Sequence, residues 1–460
     1  MLQNLKARLT APVSAAPLAV FRIIFGGMML GSIVRFMAKG WVHDLYVAPK
    51  VYFPFYGFEW VKPLGETGMY LLFGLMAFSA LGIMLGLFYR WSAVLFFLSF
   101  TYVELIDKTN YLNHYYFVSI VALLMILVPA HRHFSLDVLR KPYLWVSQVP
   151  RWTVLIFQLQ LGLVYFYAGV AKLNADWLFE AMPLRYWLPA HTHLPLIGPL
   201  LDKVWVAFVF CWFGAFYDLT IPFFLSWRKS RPLAYFTVVV FHVLTAVLFQ
   251  IGMFPYIMML STLIFFSAGF HEKALKILRG IAKVKPSETT IFAPVFRPAS
   301  GILLPLLALH FLIQVLLPWR FLLYPDKLFW TEQGYRFSWR VMLMEKAGTA
   351  FFYVRDPQTG QETEIHNLDY LTVNQEKMMA TQPDMLLQFA HMLRDDFKAK
   401  GIAAPEVRAE AYVTMNGRGS RLLIDPNFDL AAATDDFRHK HWILPFEQNA
   451  LQPEAVGQIK

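Results

Sequence analysis

The chain has 460 residues, of which 57% are hydrophobic, 17% aromatic and only 16% charged. An ordinary soluble chain carries about 25% charged residues, so this balance excludes disorder and argues against a water-soluble enzyme. The net charge is +10, yet residues from Arg320 onward hold 16 basic and 19 acidic side chains, so the first 319 residues carry the whole excess, at +13. Lys and Arg flanking membrane helices account for that excess, and no nucleic acid is expected as a partner.

The first dozen residues are polar and basic (Lys6, Arg8), and an apolar run follows from Ala16. No small-residue cleavage site follows it, so it reads as an uncleaved first helix that also directs insertion. Nine apolar stretches are candidate spans, at about 16–37, 69–89, 91–107, 115–130, 152–171, 204–226, 233–249, 252–268 and 301–319. A bilayer core about 30 Å thick needs roughly 20 helical residues, so the short third and fourth are tilted or partly interfacial. With the N-terminus inside, the inner segments carry 16 Lys and Arg and the outer loops seven. That bias places the C-terminal part outside the cytoplasm. The one cysteine, Cys211, lies in an apolar run and reads as a small buried hydrophobe.

The character changes at about Arg320, which divides the chain into a membrane domain over 1–319 and a soluble domain over 320–460. Phe351-Phe-Tyr-Val-Arg355 suits a strand and precedes the turn signal Asp356-Pro-Gln-Thr-Gly360, with 361–365 as the return strand. Residues 382–394 have helical apolar spacing. The strands at 408–414 and 420–424 flank Asn416-Gly417, a hairpin signal. The fold expected is a polytopic α-helical membrane protein with a strand-rich extracytoplasmic α+β domain.

Three polar groups interrupt the apolar sequence. Asp107-Lys-Thr-Asn-Tyr-Leu-Asn113-His114 joins two spans at their outer ends. It reads as a polar turn, or as an Asn113/His114 pair facing a cavity. Lys172 ends a long apolar run. It reads as a lysine snorkelling to the interface with Asp176 as its i+4 partner, or as an amine held in an apolar pocket. Such a pocket disfavours the ammonium and leaves a usable general base, provided Asp176 points away. His242 lies inside the seventh stretch. It is either a neutral histidine bonded to a neighbouring helix or a functional group. His131/His133, His191/His193 and His439/His441 have ligand-compatible spacing but lack a third ligand, so no metal is expected. No P-loop, dinucleotide glycine fingerprint or nucleophile elbow occurs, so no nucleotide is expected either.

Two of these stretches carry a resemblance. Ala168-Gly-Val-Ala-Lys172-Leu-Asn-Ala-Asp-Trp177 resembles the AGV-K-KLDADW stretch of the vitamin K-dependent γ-glutamyl carboxylases, and 107–114 resembles their DKT-WNNH stretch. Pro17-Leu-Ala-Val-Phe-Arg-Ile-Ile-Phe-Gly, Leu248-Phe-Gln-Ile-Gly-Met-Phe254, Trp330-Thr-Glu-Gln-Gly-Tyr-Arg-Phe-Ser-Trp339 and Asp425-Pro426 extend the similarity over nearly the whole chain. It implies a membrane protein of the HTTM type that oxygenates vitamin K hydroquinone, or menaquinol, with O2. The oxygenated intermediate is strongly basic and takes a γ-hydrogen from a peptidyl glutamate; the carbanion takes up CO2, and the quinone leaves as its epoxide. The resemblance places Lys172 on the family's catalytic base and His114 on its active-site histidine. Asn113 falls beside that histidine, His242 on another near the site, and Trp330 and Tyr335 on aromatic residues bordering the chamber. The partners implied are a glutamate-containing peptide and the membrane's own lipid and quinone.

The chain departs from the animal enzymes in three ways. Ala171 stands where they have a second lysine, Cys211 has no partner, and the chain is shorter. These departures point to a bacterial member in the inner membrane. They also keep two other functions open: a quinol epoxidase or monooxygenase without peptide carboxylation, and a non-enzymatic lipid- or quinone-binding protein.

Overall fold

The computed structural model describes residues 2–249, 251–281, 296 and 300–447. The principal helices of the first part are α1 (Ala16–Ala38), α2 (Gly65–Leu85), α3 (Tyr89–Ile106), α4 (Asn113–Leu127), α5 (Trp152–Ala171), α6 (Val204–Ser226), α7 (Arg231–Leu248), α8 (Phe254–Ser261), α9 (Ala268–Ile281) and α10 (Ser300–Leu316). Most are apolar on every face, so they bury one side against each other and leave the other for lipid. Exposed Leu71, Phe78, Phe216, Phe223 and Phe236 are such outward-facing side chains.

The sequence predicts nine spans. Among the described residues six helices are long and apolar enough to cross alone: α1, α2, α5, α6, α7 and Gly301–Leu323, which contains most of α10. A seventh is available if Phe254–Phe265 and α9 form one broken span, bent by 115°. The shortfall has a local cause in each case. Helix α3 carries Arg90 and Glu104, and α4 has only 15 residues, or about 22 Å. The inner loop at 282–295, with Lys283 and Lys285, and Arg297 of the basic count lie outside the described residues.

Small residues set the closest approaches, as lipid-embedded helices require. A Cβ on Gly26 would stand 2.4 Å from the Met84 amide nitrogen, so α1 and α2 touch backbone to backbone. A Cβ on Gly169 would stand 2.6 Å from the Leu219 nitrogen, which seats α6 directly on the end of α5. Arg22, fully buried in α1, donates to the carbonyls of Ala130, Ile83, Met84 and Phe134 and so has a structural explanation. A short ladder pairs β1 (Pro12–Ser14) with β2 (Gln148–Pro150) and ties the start of α1 to the start of α5.

The soluble part is a four-stranded antiparallel sheet covered by helices. Its strands are β3 (Lys346–Arg355), β4 (Glu362–Ile365), β5 (Glu406–Met415) and β6 (Arg421–Leu422), in the order β4-β3-β5-β6. Burial on β5 alternates, with Val407, Ala409, Ala411, Val413 and Met415 inward. That is the two-residue period of a half-covered sheet. Helices α11 (Val373–Met379) and α12 (Pro383–Ala399) cover the inward face, α12 through Met385, Leu386, Phe389 and Leu393. The return strand expected over 420–424 is paired with β5 only at Arg421–Leu422, because Ile424 bridges to Ile443 instead.

A polar seam joins the two parts. Lys108 and Arg336 both reach Asp384, at 2.8 and 2.6 Å, and Gln375 donates to Asp107 at 3.0 Å. Burial favours the protonated Asp384 carboxyl, but Arg336 and Lys108 outweigh it and hold that group well below the usual carboxylate range.

Candidate active site

The last turn of α5 builds the first part of the site. Lys172 caps the helix: its backbone N–H donates to the Gly169 carbonyl, and that of Leu173 to the Val170 carbonyl, both at 3.0 Å. Its side chain turns back rather than outward. Nζ donates to the Ala168 carbonyl at 3.3 Å and stands 2.7 Å from Oδ2 of Asp218. The two side chains are only 8% and 6% exposed, so this is a buried pair. The indole of Trp177 lies 5.3 Å from Nζ. Gly169 allows the pairing, because its missing Cβ lets the Asp218–Leu219 backbone of α6 come close.

The sequence reading missed Asp218. The signal was present: it is the one charged residue of α6, and an ionisable group inside a span marks a functional site by default. Asp176, considered as the partner of Lys172, points away. It accepts from Asn416 at 2.7 Å and from both terminal nitrogens of Arg418 at 2.8 Å. The Arg418 hydrogen bonds hold its carboxyl below the usual range, against burial.

Lys172 and His242 share a cavity with about 750 Å³ of empty space. Its walls are apolar, among them Val164, Phe210, Phe241, Phe249, Phe254 and Met258. Its polar groups are Lys172, Asp218, Tyr165, His242 and Thr245. His242 Nε2 shares a hydrogen bond with the Tyr165 hydroxyl at 3.0 Å, and that hydroxyl lies 3.4 Å from Thr262. Buried Nδ1 of His242 has no partner among the described residues.

His114, at the start of α4, stands behind one wall. Its ring centroid is 6.0 Å from that of Phe254, whose other neighbour is His242 at 5.8 Å. Thus Phe254 packs near both histidines, and His114 is not among the residues that line the cavity. Asn113 acts on backbone: its Nδ2 donates to the Arg340 carbonyl at 2.7 Å, and the Tyr335 hydroxyl is 3.5 Å from the same oxygen. The next two residues, Val341 and Met342, line the cavity, so Asn113 and Tyr335 fix a strap of its wall. Trp330 lies elsewhere, fully buried in the core of the soluble part with Nε1 bonded to the Leu444 carbonyl at 2.8 Å.

Behind α5 a second cavity with about 1300 Å³ of empty space is lined by Ala171, Leu173, Trp319, Phe321, Phe329 and Arg340, among others. Among the described residues no group of three His, Cys, Asp or Glu side chains could hold a metal. His131 instead stacks on Tyr89, and His439 bonds Gln333.

Two family models match the chain. Residues 10–270 match the HTTM domain, and residues 299–449 match the lumenal domain of vitamin K-dependent gamma-carboxylase. No solved structure matches it.

Proposed function

The chain belongs to the vitamin K-dependent gamma-glutamyl carboxylase family, and from that premise we propose that it couples oxygenation of a quinol to γ-carboxylation of a peptidyl glutamate. The observation that carries the reading is a lysine paired with one carboxylate at the end of an apolar cavity that also holds a histidine. The apolar walls fit a lipophilic hydroquinone such as vitamin K hydroquinone or menaquinol. They also keep water from a reactive carbanion. The bound quinol, on reaction with O2, supplies the strong base that a γ-hydrogen requires.

The protein's own groups prepare that step. As an ion pair Lys172 has no free lone pair. One proton moved along the 2.7 Å contact, from Nζ to Oδ2 of Asp218, leaves a neutral amine and a neutral acid. A low-dielectric site brings the uncharged pair within reach, because two buried charges lose their hydration. The neutral amine then accepts a proton from a quinol hydroxyl as general base. His242, oriented by Tyr165, offers a second polar contact through its unpartnered Nδ1. His114 acts through Phe254 as a shaping residue, Asn113 and Tyr335 hold the strap, and Trp330 supports the soluble domain. Residues 1–319 form the membrane catalytic domain and 320–460 an extracytoplasmic domain, in a bacterial inner membrane.

The test is one incubation of purified protein with reduced vitamin K, a glutamate peptide and labelled bicarbonate. Epoxide together with fixed label is the expected result. Epoxide alone replaces the proposal with quinol oxygenation, and neither product reduces the chain to a quinone- or lipid-binding protein.

A further inference from the structure

Arg340 is 8% exposed, lines the second cavity and has no salt-bridge partner among the described residues. Its Nε has no hydrogen-bond acceptor there either. One face of the guanidinium lies 4.6 Å from the Phe321 ring, which leaves the in-plane N–H groups free to act as donors. The other charges of the cavity are matched. Arg418 engages Asp176 and Glu180, and Lys327 engages Glu447 at 2.8 Å. One mostly buried cation therefore stands uncompensated beside an open space, an arrangement that an anion would complete.

We propose that the second cavity is a carboxylate-binding site in which Arg340 supplies the charge and an acidic peptide side chain is the occupant. The identity of the occupant rests on the carboxylase reading; the site itself does not. A single uncompensated charge matches a monoanion, and the planar fork of an arginine matches the two oxygens of a carboxylate. The walls at Leu173, Trp319 and Phe329 are apolar and suit the methylene arm of such a side chain. The place is also apt. Around Lys172, which lines the first cavity, Ala171 and Leu173 line the second. On the strap, Ser338 and Arg340 face the second cavity while Val341 and Met342 face the first. One helix end and one strap thus separate the carboxylate site from the quinol chamber.

The test uses the full chain in nanodiscs of zwitterionic lipid. Its probes are a capped peptide whose only carboxylate is one glutamate side chain and the same peptide with glutamine, both titrated by calorimetry. The glutamate peptide should bind about tenfold or more tightly than the glutamine one. Arg340→Gln should bring that ratio to about one, and Arg340→Lys should retain part of it. Propionate should compete with the glutamate peptide on the wild-type protein, a readout that survives if a variant fails to fold. Equal binding of the two peptides to wild type, or an undiminished preference in Arg340→Gln, overturns the proposal. Displacement of the peptide by phosphatidylglycerol in the discs, lost in Arg340→Gln, overturns it in favour of a lipid phosphate. Epoxide and fixed label are measured in parallel. An Arg340-dependent preference without fixed label keeps the site and removes the carboxylase reading. Fixed label with an unchanged peptide KM in Arg340→Gln does the reverse.

Discussion

Lys172 and Asp218 are each the other's main polar partner, and neither is exposed enough to find water instead. Removing one partner of such a pair leaves a buried charge and costs about 3–5 kcal/mol, whereas neutralising both together costs little. Lys172→Ala is therefore expected to destabilise strongly, and Lys172→Ala with Asp218→Asn to recover most of the loss. Epoxide formation should stay at least about a hundredfold down in both, because the base is missing from each. Thermal unfolding in detergent beside an epoxide assay separates the two effects; a double variant that regains activity with stability would end the case for Lys172 as base. Lys172, His114, Asn113 and His242 were legible in the sequence because each is a polar residue in or beside an apolar run. Their mutual placement was not. Asp218 is 46 positions from Lys172, and only the packing of α6 on Gly169 brings it there. That Phe254 packs near both His114 and His242 also depends on tertiary packing, which no local spacing encodes.

At the scale of elements, the approach of α5 to α6 depends on one missing methyl group. Gly169→Ala would place a Cβ 2.6 Å from the Leu219 nitrogen, against backbone rather than a side chain that can swing away. Overpacking of this kind costs about 1–3 kcal/mol and here also moves Asp218 off Lys172. The variant should lose both stability and turnover, while Gly74→Ala, with nothing within 4 Å, should change neither. The seam between the two parts makes a separate prediction about pH. Asp384 titrates below its unfolded value because Arg336 and Lys108 outweigh the effect of burial. A carboxyl depressed in this way contributes stability that is complete above its unfolded pKa, near about 3.9, and lost as pH falls toward the folded one. Acid should therefore weaken the seam, and Asp384→Asn should lower the unfolding temperature at neutral pH and flatten its acid dependence. An unaltered acid profile in Asp384→Asn would remove Asp384 from that account. The elements themselves were largely readable from period and turn chemistry, as β3, β5 and α12 illustrate. The shortened β6 was not, since the Ile424–Ile443 bridge depends on a segment distant in sequence.

For the molecule as a whole, the side on which the soluble domain lies depends on whether the number of crossings is odd or even. Helices α3 and α4 form a hairpin, so counting both or neither leaves the parity unchanged. The six long spans are an even number, and the decision falls on the broken segment Phe254–Phe265. Its first residue touches the rings of His114 and His242, at the Lys172 end of α5. Further along, the carbonyl of Ile264 accepts from Gln158, 14 residues before Lys172 and hence about 21 Å down the helix axis. The next helix, α9, then reaches Glu272, which accepts from Ser14 at 3.1 Å, just before the start of α1. A segment that begins beside the end of α5 and leads to the start of α1 has gone from one face to the other. That makes the count odd and predicts the N-terminus and the soluble domain on opposite sides. On the Lys/Arg bias the N-terminus is expected on the cytoplasmic side. Two reporters fused after Lys460 test this: one active only in the cytoplasm should stay silent, and one active only outside it should work. Because Arg418 and Asp176 tie the soluble domain to the Lys172 end of α5, the opposite pattern would mean that the whole membrane domain is inverted, with the proposed carboxylate site facing the cytoplasm.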